Sequence, residues 1–152
     1  MKFSIDMQRT ASTTASLGSA TSDVTRPRRL KVYDIMFGSE ATPADAAILW
    51  TIQRCTAAGT STGVTPQNLD LADATTEYDA GENHTIEPTY TASAILLNVP
   101  LNQRATFRWV AAPGGELVMP APAATASGFG IQTDTISTGT PLITSTVHAE
   151  EN

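Results

Sequence analysis

The sequence predicts an all-β protein: a single β-sandwich or jelly roll of about eight antiparallel strands, carrying an extended N-terminal arm. Three observations lead there. Several segments alternate apolar and polar residues with period two, and turn-forming residues punctuate them every eight to twelve positions. Nothing keeps a helical period over a useful length. The composition is also biased towards small and β-compatible side chains: of 152 residues only 16% are charged and 6% aromatic, with Thr, Ser and Ala filling the difference. A chain of this length buries one core, which leaves room for one domain and an appendage.

Taken in order, residues 1–8 alternate Met1, Phe3, Ile5 and Met7 against Lys2, Ser4, Asp6 and Gln8, a short strand at the terminus. Residues 10–25 follow, rich in Ser and Thr and almost free of large apolar side chains. Such a stretch buries too little surface to offset its ordering entropy, so it reads as disordered or extended. Residues 1–27 are therefore expected to form an arm, its strand-like tip able to pair with a sheet edge of a neighbouring subunit. The domain proper is expected over 28–152, opened by Arg26-Pro27-Arg28-Arg29.

Within the body, residues 30–37 form the first strand, with burial on both faces. Residues 40–47 make a loop with room for one helical turn at Pro43. In 48–55, Ile48, Trp50 and Ile52 share one face of a second strand, and a Thr-rich strand ends before Pro66. Residues 67–88 hold the turn formers Asn68, Asp70, Asp73, Asp79, Gly81 and Asn83 and read as a long, acidic surface loop with room for a helical turn near Leu71 to Thr76. Residues 90–99 are the next strand.

The stretch 102–120 follows. Gln103, Ala105, Phe107, Trp109 and Ala111 alternate with Arg104, Thr106, Arg108 and Val110, and Pro113-Gly114-Gly115 supplies a turn before Leu117-Val118-Met119. This predicts an antiparallel hairpin whose aromatic face requires a covering sheet. Closing strands are expected at 129–133, 135–137 and 143–149.

Charge is unevenly spread. Of nine basic residues, Lys2, Arg9, Arg26, Arg28, Arg29 and Lys31 fall in the first 31 positions against Asp6 and Asp23, a local +4, while the rest of the chain is −10 within a total of −6. A basic segment on an acidic body is an electrostatic docking element. Contact with a partner is assigned to Lys2, Phe3, Ile5, Arg9, Arg26, Arg28, Arg29 and Lys31. Arg104 and Arg108 join them, because they share the polar face of the 103–111 strand. Four nearby bases beside a −10 body make a poor nucleic-acid surface, so no nucleic acid is expected. No apolar run reaches membrane-spanning length, and Asp6 interrupts any signal-peptide core, so synthesis in a cytoplasm and no membrane partner are expected.

Catalytic patterns are weak. Gly59-Thr60-Ser61-Thr62-Gly63 matches a nucleophile elbow, with Asp134 and His148 downstream, but the motif needs a strand-to-helix turn and Pro66 follows instead. The acids from Asp70 to Glu82 lack the order of a calcium loop, and His84 and His148 have no partner at zinc-ligand spacing. The lone Cys55 reads as a buried small hydrophobe. Trp50 and Trp109, on apolar strand faces, read as core rather than as a sugar-stacking platform. No enzyme, cofactor or metal is expected.

The strings RRLKVYDIMFG, TPADAAILWTIQRCTAAGTSTGVTPQNLD, ENHTIEPTYTA and LNQRATFRWVAAPGGELVMP resemble small head-associated structural proteins of tailed bacteriophages. The resemblance runs from about Arg28 to Glu151 and carries no catalytic signature. It implies a capsid decoration, or cement, protein on the virion surface: a β-sandwich or jelly-roll module, often a homotrimer, that clamps neighbouring major capsid subunits. The N-terminal segment is longer than this resemblance leads one to expect. A carbohydrate- or receptor-binding module of a phage tail or fibre is the alternative, and a hydrolase acting through Ser61 a third.

Overall fold

A computed structural model describes all 152 residues. The chain is all-β, with no helix and 59% of residues in strands, arranged as two antiparallel sheets packed face to face. Twelve strands are present: β1 (Lys2–Thr10), β2 (Gly18–Ser22), β3 (Leu30–Ala41), β4 (Ala47–Cys55), β5 (Thr60–Val64), β6 (Gln67–Asn68), β7 (Tyr78–Ile86), β8 (Tyr90–Asn102), β9 (Phe107–Val110), β10 (Leu117–Met119), β11 (Gly128–Ile136) and β12 (Leu142–Glu151). The first sheet runs β10-β3-β12-β1-β6, with β9 also on β3; the second runs β5-β7-β2-β11-β4-β8.

The expected N-terminal arm is corrected. β1 lies between β12 and β6 in full antiparallel register, from Lys2 opposite Glu150 to Thr10 opposite Leu142. Phe3, Ile5 and Met7 are completely buried. Burying side chains of this size contributes roughly 1.5–3 kcal/mol each, enough to hold the strand within its own chain. β2 is inserted between β7 and β11 in the middle of the second sheet, and every one of its residues is buried. Gly-Ser-Ala-Thr-Ser carries no hydrophobic signal, yet small side chains are what this position needs. A Cβ on Gly18 would collide with Met7 of the facing sheet and with the Gly81 carbonyl.

The expected hairpin is corrected as well. β9 and β10 do not pair with each other. Both lie along the same edge of β3, Phe107–Val110 opposite Phe37–Asp34 and Leu117–Met119 opposite Val32–Leu30. The Pro113-Gly114-Gly115 turn forms, closed by the Gly115 N–H donating to the Ala112 carbonyl at 2.8 Å with Gly114 at φ 79°. It makes an outward excursion of one interrupted edge strand, not a reversal. The aromatic face packs inward as the alternation required: Phe107 lies 5.5 Å from Phe37, which stacks on Trp50 of the opposite sheet at 4.6 Å.

The long loop expected over 67–88 shrinks to 69–77, because residues 78–86 form β7, paired with both β2 and β5. Its buried residues, Tyr78, Gly81 and His84, recur every third position, so strand alternation is invisible in the sequence.

Two connections shape the second sheet. β4 leads to β5, and β7 leads to β8, each passing over three strands. They run beside one another, the Thr56 N–H donating to the Thr89 carbonyl at 2.9 Å and the Thr89 N–H to the Ala57 carbonyl at 3.0 Å. Beneath them Tyr90 packs against Gly130, where any Cβ would overlap its ring.

Candidate functional site

The fold gathers five of the sequence-predicted contact residues, Lys2, Arg26, Arg28, Arg29 and Lys31, at one end of the sandwich. Glu151, buried at 6% exposure, is the hub of that end. Its carboxylate accepts the Glu77 N–H at 3.0 Å and the Thr76 hydroxyl, and lies 3.9 Å from the Arg28 guanidinium. Around it the Tyr78 hydroxyl donates to the Arg28 carbonyl at 2.9 Å, and Arg29 and Asn152 exchange backbone hydrogen bonds. Arg26 pairs with Glu77 at 2.8 Å, leaving Lys2, Arg29 and Lys31 without a carboxylate within 4.0 Å. Lys2 instead sits 5.5 Å above the Tyr33 ring, a weak cation–π contact at an exposed site.

Next to Lys2, whose carbonyl accepts the Leu69 N–H at 2.9 Å, stands the turn of residues 69–74, in the segment expected as an acidic loop with room for a helical turn. The Asn68 side-chain amide donates to the carbonyls of Asp73 and Ala74 at 2.9 and 2.8 Å, and Asp70 accepts the Ala72 N–H at 2.9 Å. Thus held, the turn presents Leu69 at 52% and Leu71 at 96% exposure. Val24 adds a third exposed apolar side chain on the 23–29 loop. An open groove of about 390 Å³ runs next to the turn, lined by Val64, Pro66, Thr75, Thr76, Tyr78 and Asp79 among others.

The remaining predicted contact residues lie elsewhere. Phe3 and Ile5 are spent in the core. Arg9 is half-buried and donates to the carbonyls of Ser16 and His84. Arg104 is exposed at the opposite end, 4.0 Å from Asp45. Arg108 grips Asp34 with two hydrogen bonds, Nε to Oδ1 at 2.9 Å and Nη2 to Oδ2 at 2.6 Å, on the outer face of the first sheet. His148 Nδ1 lies 3.3 Å from the same carboxylate. The Arg108 hydrogen bonds hold the Asp34 carboxyl below its ordinary range, helped by His148 and opposed by burial.

The arrangement offers little to nucleophilic chemistry. Ser61 lies on β5, Asp134 on β11 of the same sheet with β7 and β2 between, and His148 on β12 of the other sheet. No helix follows Ser61, so the elbow geometry is not formed. Burial pushes the Cys55 thiol up to about 12, leaving it protonated and unreactive near neutrality. Trp50 is 1% exposed, and Trp109 packs against the core.

A second polar cluster, unrecognised in the sequence, lies between β1, the 11–17 segment and the β7–β8 connection. Ser16 is fully buried; its N–H donates to both oxygens of Glu87 at 2.8 and 3.0 Å, and its hydroxyl bonds Glu87 and, at 2.6 Å, the Tyr90 hydroxyl. Arg9 and His84 complete the group. Their separation in sequence, 74 positions between Ser16 and Tyr90 and 75 between Arg9 and His84, hides it from any motif. No protein-family model, curated protein or solved structure matches the chain.

Proposed function

We propose that this chain is a non-enzymatic structural protein of a phage virion, a jelly-roll-like decoration module that binds the outside of the capsid as a homotrimer and stabilises contacts between major capsid subunits. The observation that carries the reading is the end of the sandwich organised by Glu151. There the bases Lys2, Arg29 and Lys31, without a carboxylate partner, share one end of the sandwich with Leu69 and Leu71, held out on a turn that its own hydrogen bonds order and that joins Lys2 through the Leu69 N–H donating to the Lys2 carbonyl at 2.9 Å. Exposed apolar tips beside charges of both signs suit a protein–protein contact, with a desolvated centre and a polar rim. A prearranged turn also loses little entropy on docking. The sequence resemblance supplies the identity of the partner. The alternative, a carbohydrate-binding module, finds weaker support, since Trp50 is enclosed and Trp109 is half-covered.

Sedimentation analysis is expected to return the mass of three chains, and the protein is expected to bind expanded capsids of its phage. Leu71→Ser combined with Arg29→Glu should abolish capsid binding while leaving the far-ultraviolet circular dichroism spectrum unchanged, because both side chains are exposed. A monomer that ignores capsids would refute the proposal.

A further inference from the structure

His84 is 2% exposed, and its two ring nitrogens are unequally served. Nδ1 faces the Ile86 carbonyl at 3.4 Å, whereas Nε2 is buried with no hydrogen-bond partner. A carbonyl accepts only from a protonated nitrogen, so the neutral ring carries its proton on Nδ1 and leaves Nε2 as a bare lone pair. Adding a proton at Nε2 would create a buried cation whose new N–H meets only the Gly81 backbone, outside hydrogen-bond geometry.

The charged groups facing the ring come from two elements. Arg9, at the end of β1, directs Nη1 to the His84 carbonyl at 3.4 Å and opposes a second positive charge. Glu87, on the β7–β8 connection, favours the charged ring, but its carboxylate is already held by the Ser16 N–H and hydroxyl. The Gly81 backbone also favours the proton without meeting hydrogen-bond geometry at Nε2. Burial outweighs these and lowers the His84 pKa. The surroundings have a job of their own. The Asn83 N–H donates to the Leu17 carbonyl at 3.0 Å, and Ser16 ties the 11–17 segment to Glu87 and Tyr90, so the ring lies where the segment leading into β2 and the β7–β8 crossing are fastened together.

We propose that Arg9, Ser16, His84, Glu87 and Tyr90 form a proton-operated clasp, in which protonation of His84 in mild acid releases the 11–17 segment and the 87–89 crossing from the sandwich. Opening hydrates the ring, gives Nε2–H a water acceptor and frees Glu87 from Ser16 to face the new cation. The sign follows from linkage. A histidine neutral in the closed form and free to titrate in the open form costs nothing above pH ~6.5, the ordinary histidine value, and weakens the clasp as pH falls below it towards the lowered value. Loss then levels off, because both forms are charged.

The test uses the unmodified chain, whose only other histidine is His148, so two sets of ring signals need assigning. Imidazole nitrogen shifts measured from pH 8 to 4.5 are expected to show His84 as the Nδ1–H tautomer, titrating below ~6.5. Over the same interval, the amides of Ser16 and Asn83 should lose protection from hydrogen exchange by about tenfold per pKa unit of depression, after correction for the intrinsic rate. β12 amides should stay protected. His84→Gln, which cannot titrate, should make the exchange of Ser16 independent of pH across that range. Titration of His84 at or above ~6.5, or protection that persists after the ring has protonated, would overturn the proposal. So would pH-dependent Ser16 exchange surviving in His84→Gln.

Discussion

On the outer face of the first sheet, Asp34 receives both arms of Arg108 and faces Nδ1 of His148 at 3.3 Å. Beneath the crossing on the second sheet, Glu87 is taken by Ser16, and His84 keeps a bare nitrogen. Each cluster contains an arginine, a carboxylate and a histidine, but their electrostatics run in opposite directions. In the surface cluster Arg108 is 59% exposed and can fall back on water, and His148 already presents Nδ1 to the Asp34 carboxylate at 3.3 Å. In the enclosed cluster the carboxylate serves a buried backbone N–H, and a proton on the histidine finds no acceptor in hydrogen-bond geometry. The chemical inventory of a cluster therefore does not set its response to acid. Desolvation and the direction of each lone pair do.

Variants that break each cluster sharpen the contrast. Glu87→Ala should be the most damaging, at about 2–3 kcal/mol in urea unfolding, because the buried Ser16 N–H loses its acceptor where water does not reach. Asp34→Asn should cost less, about 1 kcal/mol, since Arg108 can turn to solvent. Its effect should also depend on pH. The folded carboxyl lies below the unfolded value of ~3.9, so its contribution is present above that pH and lost as pH falls through the depressed value. Acid unfolding curves of Asp34→Asn and the parent should therefore converge at low pH. Least of all, Arg104→Ala should change stability by less than about 0.5 kcal/mol, its partner Asp45 being 4.0 Å away and both side chains more than half exposed. A large loss there, or none at Glu87, would erase the distinction between enclosed and solvated clusters.

The surface cluster was partly legible beforehand, since Arg108 announces itself on a clean alternating strand. Asp34 did not, because a register shift in the β12–β3 ladder between His148 and Ala149 turns Tyr33 and Asp34 out together and disrupts the alternation around them. The clasp was illegible. Arg9 looked like part of a basic tail, and Ser16 sat in a stretch with no hydrophobic signal. Of the basic contact candidates, the run at Arg26, Arg28, Arg29 and Lys31 remains at the surface, while Arg9 is drawn inward because β1 is not an arm.

Local pattern alone carried an all-β chain, strands at 30–37, 48–55 and 143–149, which lie within Leu30–Ala41, Ala47–Cys55 and Leu142–Glu151, and inward-facing Trp50 and Phe107. Side-chain alternation and turn residues encode these within a few positions of each other. That the Ser/Thr-rich Gly18–Ser22 belongs at the centre of a sheet, and that residues 107–119 lie as one interrupted edge strand, followed from long-range packing. Both depend on what lies across a ladder. Small side chains reveal their value only when Met7 and Gly81 close on Gly18, and a turn reveals whether it reverses the chain only when β3 offers a longer edge than the two short strands offer each other.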